Sequence, residues 1–418
     1  MRYLLAATLL GLGACSTAPK LPPQPEAQAA LVSGSNAFAE NLYGELSHEP
    51  GNLFFSPVSI STAFGLLYPG AEGNTAAEIA SVMGYTLEES ADFAGAMGEL
   101  HAELETDDET AKLRIANSAW VRTGEKLSAD YLTAIQEKMA AEIRSIDFSR
   151  AEAARKTIND WVLDYTNDRI GNLIPAEFID PDLTNLVLVN AVWFKADWAQ
   201  PFNAARTRKG EFLGRDGRKV PALYMNSLPR LRHHDSSRFH AVELDYSGDE
   251  FALAILLPKA PEDLPELEAD LATGRIGRAL DALASAEPVL VDLKIPKVTA
   301  SASYQLAAPL QALGMRQVFT RGAELGGLFS SEHPYAVSNV VHKTFLEINE
   351  KGTEAAAATA IGVTISSARR LPHDPITFHA THPFLVILRH KPTGAILFIG
   401  RIEDPGIPPE LAPSDDSP

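Results

Sequence analysis

Imidazoles crowd together at two places in the 418-residue sequence, His233-His234-Asp235 and His379-x-x-His382, and such clusters are the raw material of a metal site. Neither has a convergent acidic partner in the surrounding sequence, so both read as solvated or structural histidines. No Gly-x-Ser-x-Gly elbow, Gly-x-x-x-x-Gly-Lys phosphate loop or His-Glu-x-x-His helix occurs. The compact signatures of serine hydrolases, nucleotide binding and zinc hydrolysis are therefore missing. Glu88 to Glu109 holds nine carboxylates and neither Lys nor Arg, the composition of a solvated helix face and loop. These observations argue against an enzyme, a bound metal or a cofactor, although catalytic groups far apart in sequence would leave no such motif.

The stretch with most to explain is EKGTEAAAATAIGVTISSARR, Glu350 to Arg370. If Glu350 to Ser366 becomes a strand, residues 353, 355, 357, 359, 361, 363 and 365 share one face. They are Thr, Ala, Ala, Thr, Ile, Val and Ile, small first and then larger, none charged. From Ala355 to Ser367 there is neither charge nor proline, so nothing blocks backbone pairing or burial. A surface helix over Ala355 to Ala360 competes, on alanine propensity. The branched run Ile361, Val363, Thr364 and Ile365 favours a strand beyond it, and Gly352 a flexible hinge before it. A segment exposed in one state and paired as a strand in another satisfies both readings.

The elements around it follow from period and punctuation. Phe38, Leu42 and Leu46 recur at helical spacing, and Asn52 to Phe55 reads as a short strand. Ser56-Pro57 opens a helix to about Tyr68, where proline loses nothing because a first-turn N–H has no helical partner. Helices are also predicted over Thr75 to Met83, Ser90 to Glu105 and Ala151 to Asn167. Leu113 to Val121 alternates as a half-buried strand, and Leu183 to Phe194 is apolar throughout, a strand buried on both faces. Phe251–Leu257, Val289–Val298, Phe384–Leu388 and Ile396–Gly400 read as further strands. Helices early and strands late predict an α+β fold with mainly antiparallel sheets. No Pro/Ser-rich linker divides the body, which predicts one domain over 31–405.

With 36 basic and 54 acidic residues the chain carries −18, which opposes binding to nucleic acid or anionic lipid through a basic field. Cys15 is the only cysteine, so no intramolecular disulfide can form. Nine apolar residues, Leu4 to Leu12, follow Arg2, too few to span a bilayer but suited to a signal peptide. Leu12-Gly13-Ala14-Cys15 resembles the lipobox of bacterial lipoproteins, which implies removal of residues 1–14 and lipidation of Cys15. Ser16 resembles the outer-membrane sorting pattern, facing the periplasm or the cell surface. Residues 15–30 read as a flexible tether and 406–418 as a disordered tail.

The 350–370 stretch resembles the hinge and reactive loop of the serpin family of protease inhibitors. NLFFSPVSISTAFGLLYPGAEGNTAAEI (Asn52 to Ile79), VLVNAVWFKADWAQPF (Val187 to Phe202) and LKIPKVTASASYQLAAPLQALGM (Leu293 to Met315) are similar to further blocks of that family. So are VVHKTFLEINEKGTEA (Val340 to Ala355) and FHATHPFLVILRHKPTGAILFIGRIEDP (Phe378 to Pro405), in the family's order. The resemblance implies a serpin fold: a large mainly antiparallel sheet, smaller sheets, about eight or nine helices and an exposed reactive loop over about 350–375.

The resemblance also implies roles. Glu350, Gly352, Thr353, Glu354, Ala355, Ala356, Ala357 and Ala358 would form the hinge. Ser56, Ser59, Asn190 and His342 match the shutter beneath the point where the sheet opens. Trp198, Lys297 and Glu350 match the breach at its top. The loop would act as bait for a serine protease, held as a covalent complex, with this chain supplying no catalytic residue. The family's count from Glu350 places the reactive bond at Ser366–Ser367, with Ile365–Ser366 one residue away. Those residues suit elastase-, subtilisin- or chymotrypsin-like enzymes; Arg369 and Arg370 are the trypsin-like alternative, since the segment after Ser367 is longer than is common in the family. A serpin-fold binding protein that does not inhibit is the other alternative. Thr381 stands where Asp or Asn is usual. The acidic 88–109 region replaces the basic helix of heparin-activated members, so heparin activation is not expected. The expected state is a monomer.

Overall fold

The computed structural model describes residues 25–87, 92–271, 273–330, 335–337, 340–353 and 374–406. Among them nine α-helices, several short 3-10 or π turns and two mainly antiparallel sheets make an α+β architecture. One apolar core runs from Leu31 on the first helix to Ile402 on the last strand, taking in residues of both sheets.

The larger sheet has ten strands. Its backbone order is Leu53–Phe55, Ile396–Ile402, Phe384–His390, Phe251–Pro258, Phe239–Asp245, Arg230–Asp235, Val289–Pro296, Lys219–Ser227 and Arg208–Leu213. Ile376–His379 lies parallel to Val289–Pro296. The seven-stranded sheet runs Val298–Gln305, Val341–Ile348, Gly352–Thr353, Leu186–Asp197, Ala111–Arg122 and Thr106–Asp107, with Glu142–Ile146 parallel to Ala111–Arg122.

Local signals explain the parts that position the site. Ser56 accepts the Ser59 N–H on its side chain at 3.3 Å and Pro57 comes next, so the helix Pro57–Leu67 starts where its orphan donors are satisfied. Every residue of that helix is buried, because it lies beneath the smaller sheet. Helix Ala151–Tyr165 covers the other face. Its Ala154, Ile158 and Val162 pack with Trp120, Val187, Val189 and Ala191 in a separate small core. The strand Leu186–Asp197 is therefore covered on both sides, as its unbroken apolar run requires.

Four boundaries differ from the sequence reading. The first helix is Pro25–Leu46, so residues 25–30 of the expected tether belong to the body, and Gln28 donates to Glu99 at 3.1 Å. The central strand begins at Leu186, not Leu183. Asp180 accepts the Asp182 and Leu183 N–H groups in a turn that leaves Leu183 63% exposed. Val289 to Val298 is not one strand: the chain leaves the larger sheet at Pro296 and enters the smaller one at Val298. Helices Leu264–Leu271, Arg275–Ser285 and Ala307–Ala312 interrupt the strand-rich second half; the first and third pack on helix Pro25–Leu46 and the second on the larger sheet.

Candidate functional site

At the top of the smaller sheet the chain turns at Asn349 and sends Gly352–Thr353 between two strands. Thr353 lies opposite Ala196 on one side and Ile348 on the other, and Gly352 lies opposite Asp197. Gly352 has no alternative here: a Cβ would stand 1.9 Å from the Ala196 carbonyl oxygen. Thr353 is buried, and its hydroxyl meets the Tyr246 hydroxyl at 2.6 Å. Tyr246 stacks on Trp198 with ring centroids 4.4 Å apart. Burial holds the Tyr246 phenol well above its usual range, so it stays neutral.

Trp198 fastens the turn itself. Its indole Nε1–H donates to the Asn349 carbonyl at 2.9 Å and its backbone N–H to that of Lys351 at 2.7 Å. The Asn349 side chain accepts the Lys351 N–H at 3.0 Å, and its backbone N–H donates to the Gly352 carbonyl at 2.9 Å. Glu350 accepts from the Thr207 hydroxyl at 2.8 Å and faces the Lys297 ammonium at 3.6 Å, both partly buried. Trp198, Lys297 and Glu350 are thus brought together, and Thr207, Tyr246 and Asn349 complete the fastening.

Below Thr353 the strands Leu186–Asp197 and Val341–Ile348 share no ladder of their own among the described residues; Gly352–Thr353 is what joins them. Ser56, Ser59, Asn190 and His342 meet beneath that seam. The Ser56 N–H donates to His342 Nε2 at 3.0 Å, and the Ser59 hydroxyl donates to Asn190 Oδ1. An imidazole accepting at Nε2 carries its proton on Nδ1 and is neutral. Burial depresses its pKa to about 3. Thr344 donates its hydroxyl to the Phe54 carbonyl at 2.5 Å, and the Phe54 N–H donates to the Tyr304 hydroxyl at 2.9 Å, tying the seam to the strand before the helix. Leu188, Asn190, Val341 and His342, with Ile60 and Phe64 below, line a cavity of about 20 Å3, room for one water.

The remaining sequence candidates separate. Cys15, Glu354 to Ala358, Ile365, Ser366, Ser367, Arg369 and Arg370 lie outside the described residues. His233 and His234 are consecutive on a strand and face opposite sides. His233 stacks near His240, with centroids 5.8 Å apart. His379 meets Asp292 at 3.0 Å, an acidic partner 87 residues away that the local sequence could not reveal. Among the described residues no group of three or more His, Cys, Asp or Glu comes together as metal ligands would. Thr207, Tyr246, Asn349 and Thr344 were not anticipated. Only Asn349 carried a local signal, an asparagine before Glu-Lys-Gly, a composition that favours turns.

A sheet whose two central strands are joined, among the described residues, through Gly352–Thr353 alone defines the class of fold to which the comparisons point. The family profile described as Serpin (serine protease inhibitor) matches residues 33–405. The leukocyte elastase inhibitor of Equus caballus is 34% identical over 387 residues, spanning 90% of this chain and 99% of its own length. Among solved structures, human thyroxine-binding globulin complexed with thyroxine superposes with a TM-score of 0.80 at 29% identity, covering 91% of this chain and all of that one. A cleaved Serpin 42Da superposes at 0.79 with 33% identity, covering 91% of this chain and 99% of that one. The chain belongs to the serpin family.

Proposed function

We propose that this protein is a suicide-substrate inhibitor of serine proteases. The observation that carries the reading is the seam: Gly352–Thr353 already pairs on both sides, and past Glu354 the sequence runs for fourteen residues without charge or proline. A protease serine attacks a carbonyl between Ile365 and Ser367, the peptide bond breaks, and the C-terminal piece leaves with a new amino terminus. The N-terminal piece stays esterified to the enzyme. Pairing then continues down the seam from Thr353. In that antiparallel register Thr359 arrives opposite Asn190 on one strand and His342 on the other, so the small residues of the hinge pass over the polar cluster. The protease is carried along and its catalytic site distorted before water releases the acyl group. Ile365, Ser366 and Ser367 suit elastase-, subtilisin- or chymotrypsin-like targets.

Incubation with pancreatic elastase, subtilisin, chymotrypsin and trypsin, then denaturing gels, tests this. A band at the mass of the protease plus the N-terminal piece that survives SDS is expected, and sequencing the released C-terminal fragment locates the bond; cleavage after Arg369 or Arg370 would assign a trypsin-like target instead. Clean cleavage with full residual protease activity would sink the reading. It would favour a binding protein of this fold, which the similarity to thyroxine-binding globulin also supports. Lipidation of Cys15 and anchoring to a bacterial outer membrane complete the proposal. Labelled palmitate should enter the full chain and not Cys15→Ser.

A further inference from the structure

The larger sheet ends at Leu53–Phe55, three residues long, and at Arg208–Leu213, which carries Arg208, Lys209 and Glu211. At one end of the smaller sheet stand Thr106–Asp107, two residues long, and Glu142–Ile146, which carries Glu142 and Arg144. Short or charged strands keep a bare row of N–H and C=O groups from recruiting other strands. The opposite end of the smaller sheet is built otherwise. Val298–Gln305 reads Val-Thr-Ala-Ser-Ala-Ser-Tyr-Gln, eight residues with neither charge nor proline. Among the described residues it pairs only with Val341–Ile348, in a register without a bulge.

The open stretch is closed off at both ends. Leu306 donates its N–H inward, to the Val340 carbonyl at 2.8 Å, and Ala307 then opens a helix. Thr299 points outward and is already met. Its N–H donates to the Pro405 carbonyl at 3.0 Å, and Gly406 lies so close that a Cβ would stand 2.6 Å from its carbonyl oxygen. Backbone groups of an antiparallel strand alternate between its two sides, so Ser301, Ser303 and Gln305 turn both N–H and C=O outward as Thr299 does. All three residues are exposed.

We propose that a second copy of this chain occupies the edge, its Val298–Gln305 running antiparallel to the first about a two-fold axis at Ser303. Three outward residues with one at the centre map onto themselves. Ser303 faces Ser303 of the second copy, Ser301 faces its Gln305, and each such pair exchanges two N–H···O bonds, so no outward group is left over. Sliding by two residues sets an outward residue against Thr299, which Pro405 holds, or against Ala307, where the strand has ended. On the exposed face the side chains that meet are Ser and Gln. On the other face Ala302 comes opposite Tyr304 of the second copy, both half-buried, so no like charges meet and apolar surface is covered. The two smaller sheets become one, and closed two-fold symmetry stops the assembly at two. This departs from the monomer expected of the sequence.

Sedimentation velocity on the full chain carrying Cys15→Ser, which leaves no thiol, tests the assembly over roughly 1–300 μM, the range a small interface calls for. Monomer should give way to dimer and to nothing larger. Ser303→Pro removes an N–H that bonds nothing among the described residues, so the thermal midpoint should hold. The dissociation constant should rise about tenfold or more, the scale of two lost hydrogen bonds. Ser303→Lys, which sets two ammonium groups face to face, should weaken the dimer likewise. In the same background Ser303→Cys should form a disulfide-linked dimer on mild oxidation about tenfold faster than Thr299→Cys, whose mate would be position 307. A chain that stays monomeric throughout, undiminished association of Ser303→Pro, or equal cross-linking at 299 and 303 overturns the proposal.

Discussion

Acid should weaken the floor of the seam through His342. Its imidazole is buried and neutral, with a pKa held near about 3, against ~6.5 in an unfolded chain. Because the folded value is the lower one, the unfolded chain takes up the proton first. The histidine's contribution is intact above the unfolded pKa and is lost progressively as pH falls toward the folded one. Between pH 7.5 and 5 this single group removes about 2 kcal/mol of stability. His390, lowered to about 4 by burial, titrates in the same window, so the measurement must be a difference. Urea unfolding monitored by circular dichroism across that pH range should show a steeper loss in the natural chain than in His342→Gln. The glutamine can still accept the Ser56 N–H but binds no proton. Parallel profiles would refute the reasoning, since they would mean that His342 charges as readily in the folded protein as in the unfolded one.

Thr353→Arg places a guanidinium where the side chain is buried against Tyr246. The loop should still be cut, but the SDS-stable band should vanish and protease activity return in full. Gly352→Ala drives a Cβ into the Ala196 carbonyl and should lower stability by about 1–3 kcal/mol in urea. Arg401→Met should cost more, about 3–5 kcal/mol, seen as a lowered thermal midpoint. Arg401 is fully buried and its Nη1 lies 2.5 Å from Glu268, itself buried, so the glutamate would keep only the Tyr43 hydroxyl at 3.0 Å and the more distant Arg215 at 3.7 Å.

Much of this architecture was legible because it is written in short periods. The cap at Ser56-Pro57, the helix Ala151–Tyr165 and the apolar run of the central strand each declare themselves within a dozen residues. The small, uncharged character of the loop is equally local. What the sequence could not show is decided by partners far away along the chain. Thr353 meets Tyr246 across 107 residues, Trp198 meets Asn349 across 151, and Ser56 meets His342 across 286. No period connects such pairs; the family resemblance suggested Ser56, His342 and Trp198 but was silent on Tyr246 and Asn349. The division of Val289 to Val298 between two sheets was hidden for the same reason, since its apolar pattern continues through the point where the chain changes layers.

Trp198 has an optical consequence. It is one of four tryptophans, and the other three, Trp120, Trp161 and Trp193, sit away from the turn at Asn349. Its indole donates to a carbonyl of that turn and lies against a second aromatic ring, so its emission reports whether the turn is fastened. With the other three replaced by phenylalanine, the protein would carry a single built-in fluorophore at the mouth of the seam. A change in its colour after mixing with a protease would time the first movement of the loop, without any label attached to the loop itself.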